Sequence, residues 1–194
     1  QMLDQFERLR QLPPNDPELA LDEANVRFKL GQRAQGQALV EKVLTNPAIN
    51  RADADQAIAL WQEYGSSDVP GSAIERIGRD GSNAARISLV RYLVEQARDV
   101  DATKTYAQIS KAPPAGLKAR LLLLTGDGQK AGQLAAKILA RDKTDCDALI
   151  GAAGSAIKRG SAEYDLRFAQ EASLECPPMA DGWLLSAAGY DALG

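Results

Sequence analysis

The sequence predicts an all-α protein built from repeated helical hairpins. Gly126, Gly160 and Gly194 recur at one constant interval, and the same interval, which we call the repeat period, separates Gly31 from Gly65. A period of about 34 residues is typical of stacked helix–turn–helix repeats. Apolar residues make up 45% of the chain, with alanine and leucine contributing much of that share, and aromatic residues make up only 5%. This composition favours helices over β-sheets.

Helix start and stop signals define the first hairpin. Apolar residues recur at helical spacing in 2–12 before two prolines, which predicts a helix whose partner helix is missing. Asp16 and Pro17 predict the N-cap and first position of the next helix, which reaches a turn at Gly31. Its return helix ends at 46–47, where proline cannot continue it. The unpaired first helix predicts that the chain is a fragment of a longer repeat protein.

The second and third hairpins are less regular. The second consists of a helix from Ala54 to Tyr64, a turn at Gly65 and a helix opened by a capping box in 72–75, whose serine is the predicted N-cap. A strongly apolar helix is predicted over Asn83–Ala97, with a return helix over 101–111. A helix that is apolar around much of its circumference is buried on several sides, as in stacked hairpins.

Two further hairpins are predicted before a final helix. Helices over 117–125 and 130–141 flank the turn at Gly126, and Gly160 joins the next pair. Trp183 belongs to the final helix and is expected to lie buried at the last interface between hairpins. Truncation of a fully buried side chain of this size costs about 3–5 kcal/mol. No linker interrupts the pattern, so residues 1–194 are predicted to form a single domain of about five hairpins.

The pattern resembles the tetratricopeptide repeat family, whose unit is about 34 residues long. With the turn glycine at position 15, Trp183, Ala187 and Tyr190 occupy positions 4, 8 and 11 of the last unit. Pro177 occupies position 32 of the unit before it, whereas the match is loose over 66–116. The resemblance implies a right-handed superhelix in which the first helix of each hairpin lines a concave groove that holds peptides.

The resemblance also implies which side chains face this groove, at positions 2, 5, 9, 12 and 13 of the units. The candidate partner-binding residues are Asn25, Phe28, Lys29, Asp55, Gln62, Arg91, Glu95, Arg120, Asp147 and Lys158. They are mixed in charge and do not reproduce the basic set with which chaperone-binding members clamp a C-terminal carboxylate. No chaperone partner is therefore predicted. The alternative for each polar residue is a solvated helix face.

The sequence gives little support for catalysis, a cofactor or a metal. It contains no histidine, the commonest general base and metal ligand. The glycines in 126–132 could form a phosphate loop, but their spacing departs from the dinucleotide fingerprint and no flanking strands are predicted. Asp142, Asp145 and Asp147 could suggest a calcium loop, but its central glycine and terminal glutamate are lacking. Helix capping explains these aspartates, and no enzymatic activity is predicted.

Net charge and hydropathy limit the classes of partner that the chain is expected to bind. The net charge of −3 argues against a nucleic-acid surface, which needs a clustered basic patch. No apolar stretch approaches the roughly 20 residues that a membrane helix requires. The partner that the resemblance implies is a protein or peptide.

The two cysteines suggest a covalent link within one hairpin. Cys146 begins the first helix of its hairpin, and Cys176 ends the second. Antiparallel helices bring these ends together, so a disulfide forms if the Cα atoms lie within about 7 Å. The alternative is two separate, partly buried thiols that behave as small apolar groups.

Two functions remain open at this point. The first is an interaction scaffold that binds a peptide or protein in its concave groove. The second is a structural spacer in the periplasm, as an arm of a bacterial envelope machine for polysaccharide export or pilus assembly. The candidate disulfide favours the periplasm over the cytoplasm, because cytosolic proteins rarely keep one.

Overall fold

The computed structural model describes residues 16–64, 71–177 and 179–193, without the side chains of 162–165, 180, 192 and 193. Every regular element in these ranges is an α-helix, which confirms the all-α prediction. The predicted helix in 2–12 and the turns at Gly65 and Gly194 lie outside the described residues.

The described residues form eleven helices. They are α1 (Pro17–Lys29), α2 (Arg33–Leu44), α3 (Arg51–Tyr64), α4 (Gly71–Asp80), α5 (Asn83–Glu95), α6 (Asp99–Ala107), α7 (Ala115–Leu124), α8 (Gly128–Leu139), α9 (Cys146–Lys158), α10 (Ala162–Glu175) and α11 (Ala180–Leu193). The predicted N-cap of α1 is confirmed, because the Asp16 side chain accepts a hydrogen bond from the backbone N–H of Glu18. The predicted N-cap of α4 is wrong: this helix begins at Gly71, so Ser72 lies inside it.

The chain divides into two compact units. Unit 1 comprises the described part of Gln1–Tyr92 together with Lys104–Ser110, and unit 2 comprises Leu93–Thr103 with the described part of Lys111–Gly194. In unit 1, α2 packs against α1, α3 and α4; in unit 2, α9 packs against α7, α8, α10 and α11. Helices therefore pack on their nearest and next-nearest neighbours in sequence, which is a repeat-like arrangement.

Phe28 lies in the core of unit 1. Its ring stacks on that of Tyr64, with ring centroids 5.4 Å apart. On its other side it meets α2 at Gly36, where an added Cβ would come within 2.9 Å of the Phe28 ring. Glycine at this position allows the close approach. Phe28 is consequently buried, although the repeat pattern placed it among the groove-facing residues.

Glycines at three hairpin turns have a left-handed backbone conformation. The φ angles of Gly31, Gly126 and Gly160 are 74°, 94° and 70°. After each of them, the next residue donates its N–H to the carbonyl five residues earlier in the chain, as Asp127 does to Leu122 over 2.9 Å. This is the Schellman motif, in which glycine avoids the steric strain that a Cβ causes. The glycine spacing in the sequence therefore has a conformational cause.

A fourth turn of the same kind, between α5 and α6, carries alanine instead. Ala97 has a φ of 54°, and the N–H of Arg98 donates to the carbonyl of Leu93 over 2.9 Å. The sequence pattern missed this turn and extended the helix through Ala97, because alanine is the strongest helix former. A Cβ in the left-handed region costs roughly 1–2 kcal/mol.

Replacement of Ala97 by glycine is expected to raise the free energy of unfolding by about 0.5–1 kcal/mol, since it relieves more strain than it costs in chain entropy. Urea denaturation measures the change. Two control variants are measured in the same way. Gly126→Ala introduces the same strain at another left-handed turn. Ala136→Gly removes a good helix former at an exposed position in α8. Both controls should lower stability by about 1 kcal/mol. A loss in Ala97→Gly similar to that in Ala136→Gly would contradict the left-handed turn.

The expectation that Trp183 is buried is wrong. Its side chain is 59% exposed. Leu149, one repeat period earlier, is fully buried in a cluster with Ala172 and Cys176 of the return helix and its cap. Within the described part of the chain, no return helix covers the corresponding face of α11. The cost of truncating a fully buried tryptophan therefore does not apply to Trp183.

Candidate binding cleft in unit 2

Unit 2 contains an open cleft of about 340 Å³, formed by the end of α5 together with α7, α9 and α11. Its charged lining consists of Glu95, Arg120, Lys158 and Asp181. Its apolar lining consists of Val94, Leu123, Leu124, Ile150, Leu184 and Leu185. The cleft thus combines a mainly apolar wall with a small set of charges, as ligand sites generally do.

Arg120 is the central charged residue of the cleft, and it is only 2% exposed. Its Nη1 donates to Oδ1 of Asp147 over 3.1 Å, and its Nη2 donates to Oδ2 of Asp181. Oε1 of Glu95 lies 3.9 Å from the same Nη2. The planar guanidinium presents donors in several directions, so one side chain can hold carboxylates from different helices. We call Arg120, Glu95, Asp147 and Asp181 the Arg120 cluster.

Two members of the Arg120 cluster occupy equivalent places in successive hairpins. Asp147 lies in the first turn of α9, and Asp181 lies in the first turn of α11, one repeat period later. A carboxylate is favoured in the first turn because it interacts with the positive end of the helix dipole. Arg120 extends from the middle of α7 to both of them. The cluster therefore joins the first helices of three hairpins in unit 2.

Lys158 adds the second positive charge of the cleft. It ends α9 and donates from its Nζ to the carbonyl oxygen of Leu123 over 2.7 Å. The Arg120 cluster and Lys158 together contain three carboxylates and two cations, so their net charge is −1.

The apolar wall includes one strongly exposed side chain. Leu184 of α11 is 66% exposed, whereas Ile150 of α9, which lines the same cleft, is buried. Leu123 lies close against α9, because a Cβ at Gly154 would overlap its side chain. The small residue at this position fixes how near α7 and α9 approach and so shapes the wall.

The four groove candidates that belong to unit 2 come together at this cleft. Glu95, Arg120 and Lys158 line it, and Asp147 contacts Arg120. Asp147 and Arg120 are both buried. They do not lie on a solvated helix face, and each offsets the buried charge of the other.

The six groove candidates of unit 1 are not brought to this cleft. Lys29, Asp55 and Gln62 are exposed, and Asn25 and Arg91 are half-buried. Asp55 forms an ion pair with Arg51 at 2.9 Å and accepts a hydrogen bond from the Ser88 hydroxyl at 2.6 Å. Asp55 thus has a structural role within unit 1.

Sequence reasoning missed Asp181 and Leu184. They follow Asp147 and Ile150 by one repeat period and occupy positions 2 and 5 of the last unit. Applying the same groove positions to the last repeat unit, after Lys158, would have found both residues. Val94 and Leu185 line the cleft from positions outside that set.

The aspartates near α9 have structural partners. Asp145 caps α9 by accepting the backbone N–H of Ala148, as predicted. Asp142 accepts hydrogen bonds from the hydroxyl and the backbone N–H of Thr144, and these hydrogen bonds lower the pKa of Asp142. Among the residues that the structure describes, no three carboxylate or thiol groups are arranged to hold a metal ion.

The glycine-rich stretch after α7 is a hairpin turn. Asp127 caps α8 by accepting a hydrogen bond from the backbone N–H of Lys130. The Lys130 ammonium also donates a hydrogen bond to the Asp127 carboxylate. The side-chain hydrogen bond and then the backbone one hold the pKa of Asp127 below its usual value. Gly126 and Asp127 therefore serve helix termination and initiation.

Cys146 and Cys176 are joined in a disulfide, with their Cα atoms 5.9 Å apart. Cys146 is the first residue of α9 and Cys176 is the C-cap of α10. The bond closes the open end of this hairpin. It also lies directly before Asp147, so it anchors the turn that contributes to the Arg120 cluster.

The comparisons with known proteins add no family. The chain matches none of the protein-family models against which it was compared, and no curated protein is significantly similar to it. Of the helices within the described ranges, none is both long and apolar enough to cross a lipid bilayer.

Proposed function

We propose that the chain is a protein-interaction scaffold that binds a short segment of another protein in the cleft of unit 2. The observation that carries this proposal is Leu184, which is 66% exposed on the wall of an apolar cleft. Exposed apolar surface beside a concave site is typical of binding surfaces. A volume of about 340 Å³ suits a few side chains rather than a whole domain.

The proposal includes a tetratricopeptide-like superhelix. Glycine turns, repeat-like helix packing and the paired aspartates at equivalent positions support it. The cleft residues Arg120, Leu123, Asp181 and Leu184 stand at repeat positions 9, 12, 2 and 5, which the resemblance assigns to the concave groove. We assign no catalytic role, because the cleft residues are used in packing and ion pairing.

A displayed library of short peptides selected on the whole chain tests this function. Enriched peptides are expected to bind the parent chain, and Leu184→Ser should weaken that binding at least about tenfold. The reason is that a leucine buried by the ligand contributes roughly 1.5–3 kcal/mol. Fluorescence anisotropy with labelled peptides measures the affinity.

Leu174→Ser is the matched control. Leu174 is 79% exposed in the neighbouring helix α10 and does not line the cleft, so its replacement should leave binding unchanged. Circular dichroism melts of both variants establish that each remains folded. Selected peptides that bind the Leu184→Ser variant as well as they bind the parent would place their site elsewhere and contradict the proposal.

The alternative is a structural spacer in a bacterial envelope machine, such as one for polysaccharide export or pilus assembly. The disulfide favours it, because such bonds are kept mainly in oxidising compartments such as the periplasm. A spacer needs no occupied cleft. Failure of the library to yield any peptide that depends on Leu184 would favour this alternative.

A further inference from the structure

We infer that the Cys146–Cys176 disulfide is a redox-sensitive switch of the cleft: the oxidised chain binds its peptide, and reduction of the bond weakens that binding. The inference rests on the proposed function and concerns the regulation of that same site. It depends on the position of the bond, which lies at the ends of α9 and α10 and next to the start of α11. Both α9 and α11 contribute to the cleft wall.

The bond fixes the start of α9. Cys146 is the first residue of this helix, and Asp147, which follows it, accepts a hydrogen bond from Arg120 over 3.1 Å. Arg120 lines the cleft, and so does Ile150, about one helical turn beyond Cys146. The first turn of α9 therefore carries the disulfide together with residues that form or support the cleft.

The other end of the bond lies against α11. Cys176 is the C-cap of α10, and its carbonyl accepts the N–H of Met179 over 2.9 Å, immediately before α11 begins at Ala180. Cys176 is also buried in one apolar cluster with Ile150, and Leu185 of α11 packs against this cluster. Ile150 and Leu185 both line the cleft. The disulfide is therefore part of the cluster from which α9 and α11 form the wall.

The bond is reduced by thiol–disulfide exchange with a dithiol. Cys146 is half-buried and Cys176 is 3% exposed, so we expect the attacking thiolate to reach the bond at Cys146. Attack there displaces the Cys176 thiolate, which takes up a proton, and the second thiolate of the dithiol then displaces Cys146, which takes up another. The dithiol gives up two electrons and is itself oxidised to a disulfide.

Reduction removes a constraint on both sides of the cleft wall. It leaves α9 and α10 joined through the turn at Gly160 and by their packing. The start of α9 and the link from α10 to α11 gain conformational freedom, so the arrangement that binds the peptide is populated for only part of the time. The apparent affinity falls in proportion to that population.

Cysteine-free peptides selected on the oxidised whole chain test the inference. Fluorescence anisotropy is expected to show that they bind the oxidised chain at least about tenfold more tightly than the chain reduced with dithiothreitol. Linkage requires the reciprocal effect, so saturating peptide should make the bond harder to reduce by the same factor. Alkylation of free thiols in a series of dithiothreitol redox buffers, followed by mass spectrometry, measures this equilibrium.

Two variants separate the effect on the cleft from a general loss of stability. The double variant Cys146→Ala with Cys176→Ala should bind as weakly as the reduced chain and should not respond to the reductant. Ile77→Ala truncates a fully buried side chain in unit 1, so it should lower stability without weakening peptide binding. Circular dichroism establishes that each chain remains folded under the conditions of the binding measurement.

The outcomes distinguish this inference from the proposed function. Peptides that depend on Leu184 but bind the oxidised and the reduced chain equally overturn the inference and leave the proposed function standing. A loss of affinity in Ile77→Ala as large as that on reduction assigns the effect to general stability and also overturns the inference. A reduced chain that has lost its helices as a whole overturns it too, because the bond then controls folding and not the cleft. Absence of any peptide that depends on Leu184 contradicts both.

Discussion

Replacement of Arg120 by alanine is expected to lower the free energy of unfolding by about 3–5 kcal/mol. The guanidinium is buried and holds the equally buried Asp147 at 3.1 Å as well as Asp181. Its removal takes from the buried Asp147 carboxylate the guanidinium that offsets its charge. It also leaves three carboxylates near one another, which repel.

Urea denaturation followed by circular dichroism measures this loss. Arg167→Ala is the matched control, because Arg167 and Glu171 form an exposed ion pair in the same unit at 3.2 Å. An exposed pair of this kind contributes about 0–1 kcal/mol. If both variants lost similar stability, Arg120 would not be the buried centre of a charge cluster.

The expected loss also decides how binding should be probed. A variant of Arg120 would lose ligand binding through unfolding alone, so it cannot separate recognition from stability. Leu184 is suited to that purpose because its side chain is largely exposed and lines the same cleft.

Reduction of the Cys146–Cys176 disulfide is expected to lower the free energy of unfolding by about 3–4 kcal/mol. The two residues are 30 apart in sequence, and the bond removes the conformational freedom of that loop from the unfolded chain. The hairpin of α9 and α10 should therefore lose the most stability.

The measurement compares urea denaturation with and without a reductant. A double variant, Cys146→Ala with Cys176→Ala, should resemble the reduced chain and should not respond to the reductant. A chain whose stability is the same when oxidised and when reduced would show that the bond does not constrain the unfolded state.

Local sequence signals predicted most of the helices and turns. Asp16 and Gly31 mark the ends of α1 because capping and left-handed turns depend on single residues and their immediate neighbours. The turn at Ala97 could not be predicted in that way. Alanine has no preference for this conformation, so the surrounding packing imposes it. Ser72 is not the N-cap of α4, because that helix already begins at Gly71.

The candidate site was only partly predictable. The helical period places Arg120 and Asp147 on the faces expected to meet a ligand, but not in contact with each other. Arg120 reaches Asp147 across 27 residues of sequence and Asp181 across 61. Pairings of this range depend on how the helices stack. The exposure of Trp183 likewise depends on whether another helix covers it, which its own sequence does not specify.

The disulfide also determines how this hairpin behaves under tension. A chain pulled from its ends extends by about 3.3–3.6 Å for each released residue. Cys146 and Cys176 are 30 positions apart in sequence, and the bond keeps the chain between them from extending, which amounts to roughly 100 Å. A pulling force passes through the sulfur atoms instead of through α9 and α10. The packing of α9 on α10 is therefore shielded from mechanical load.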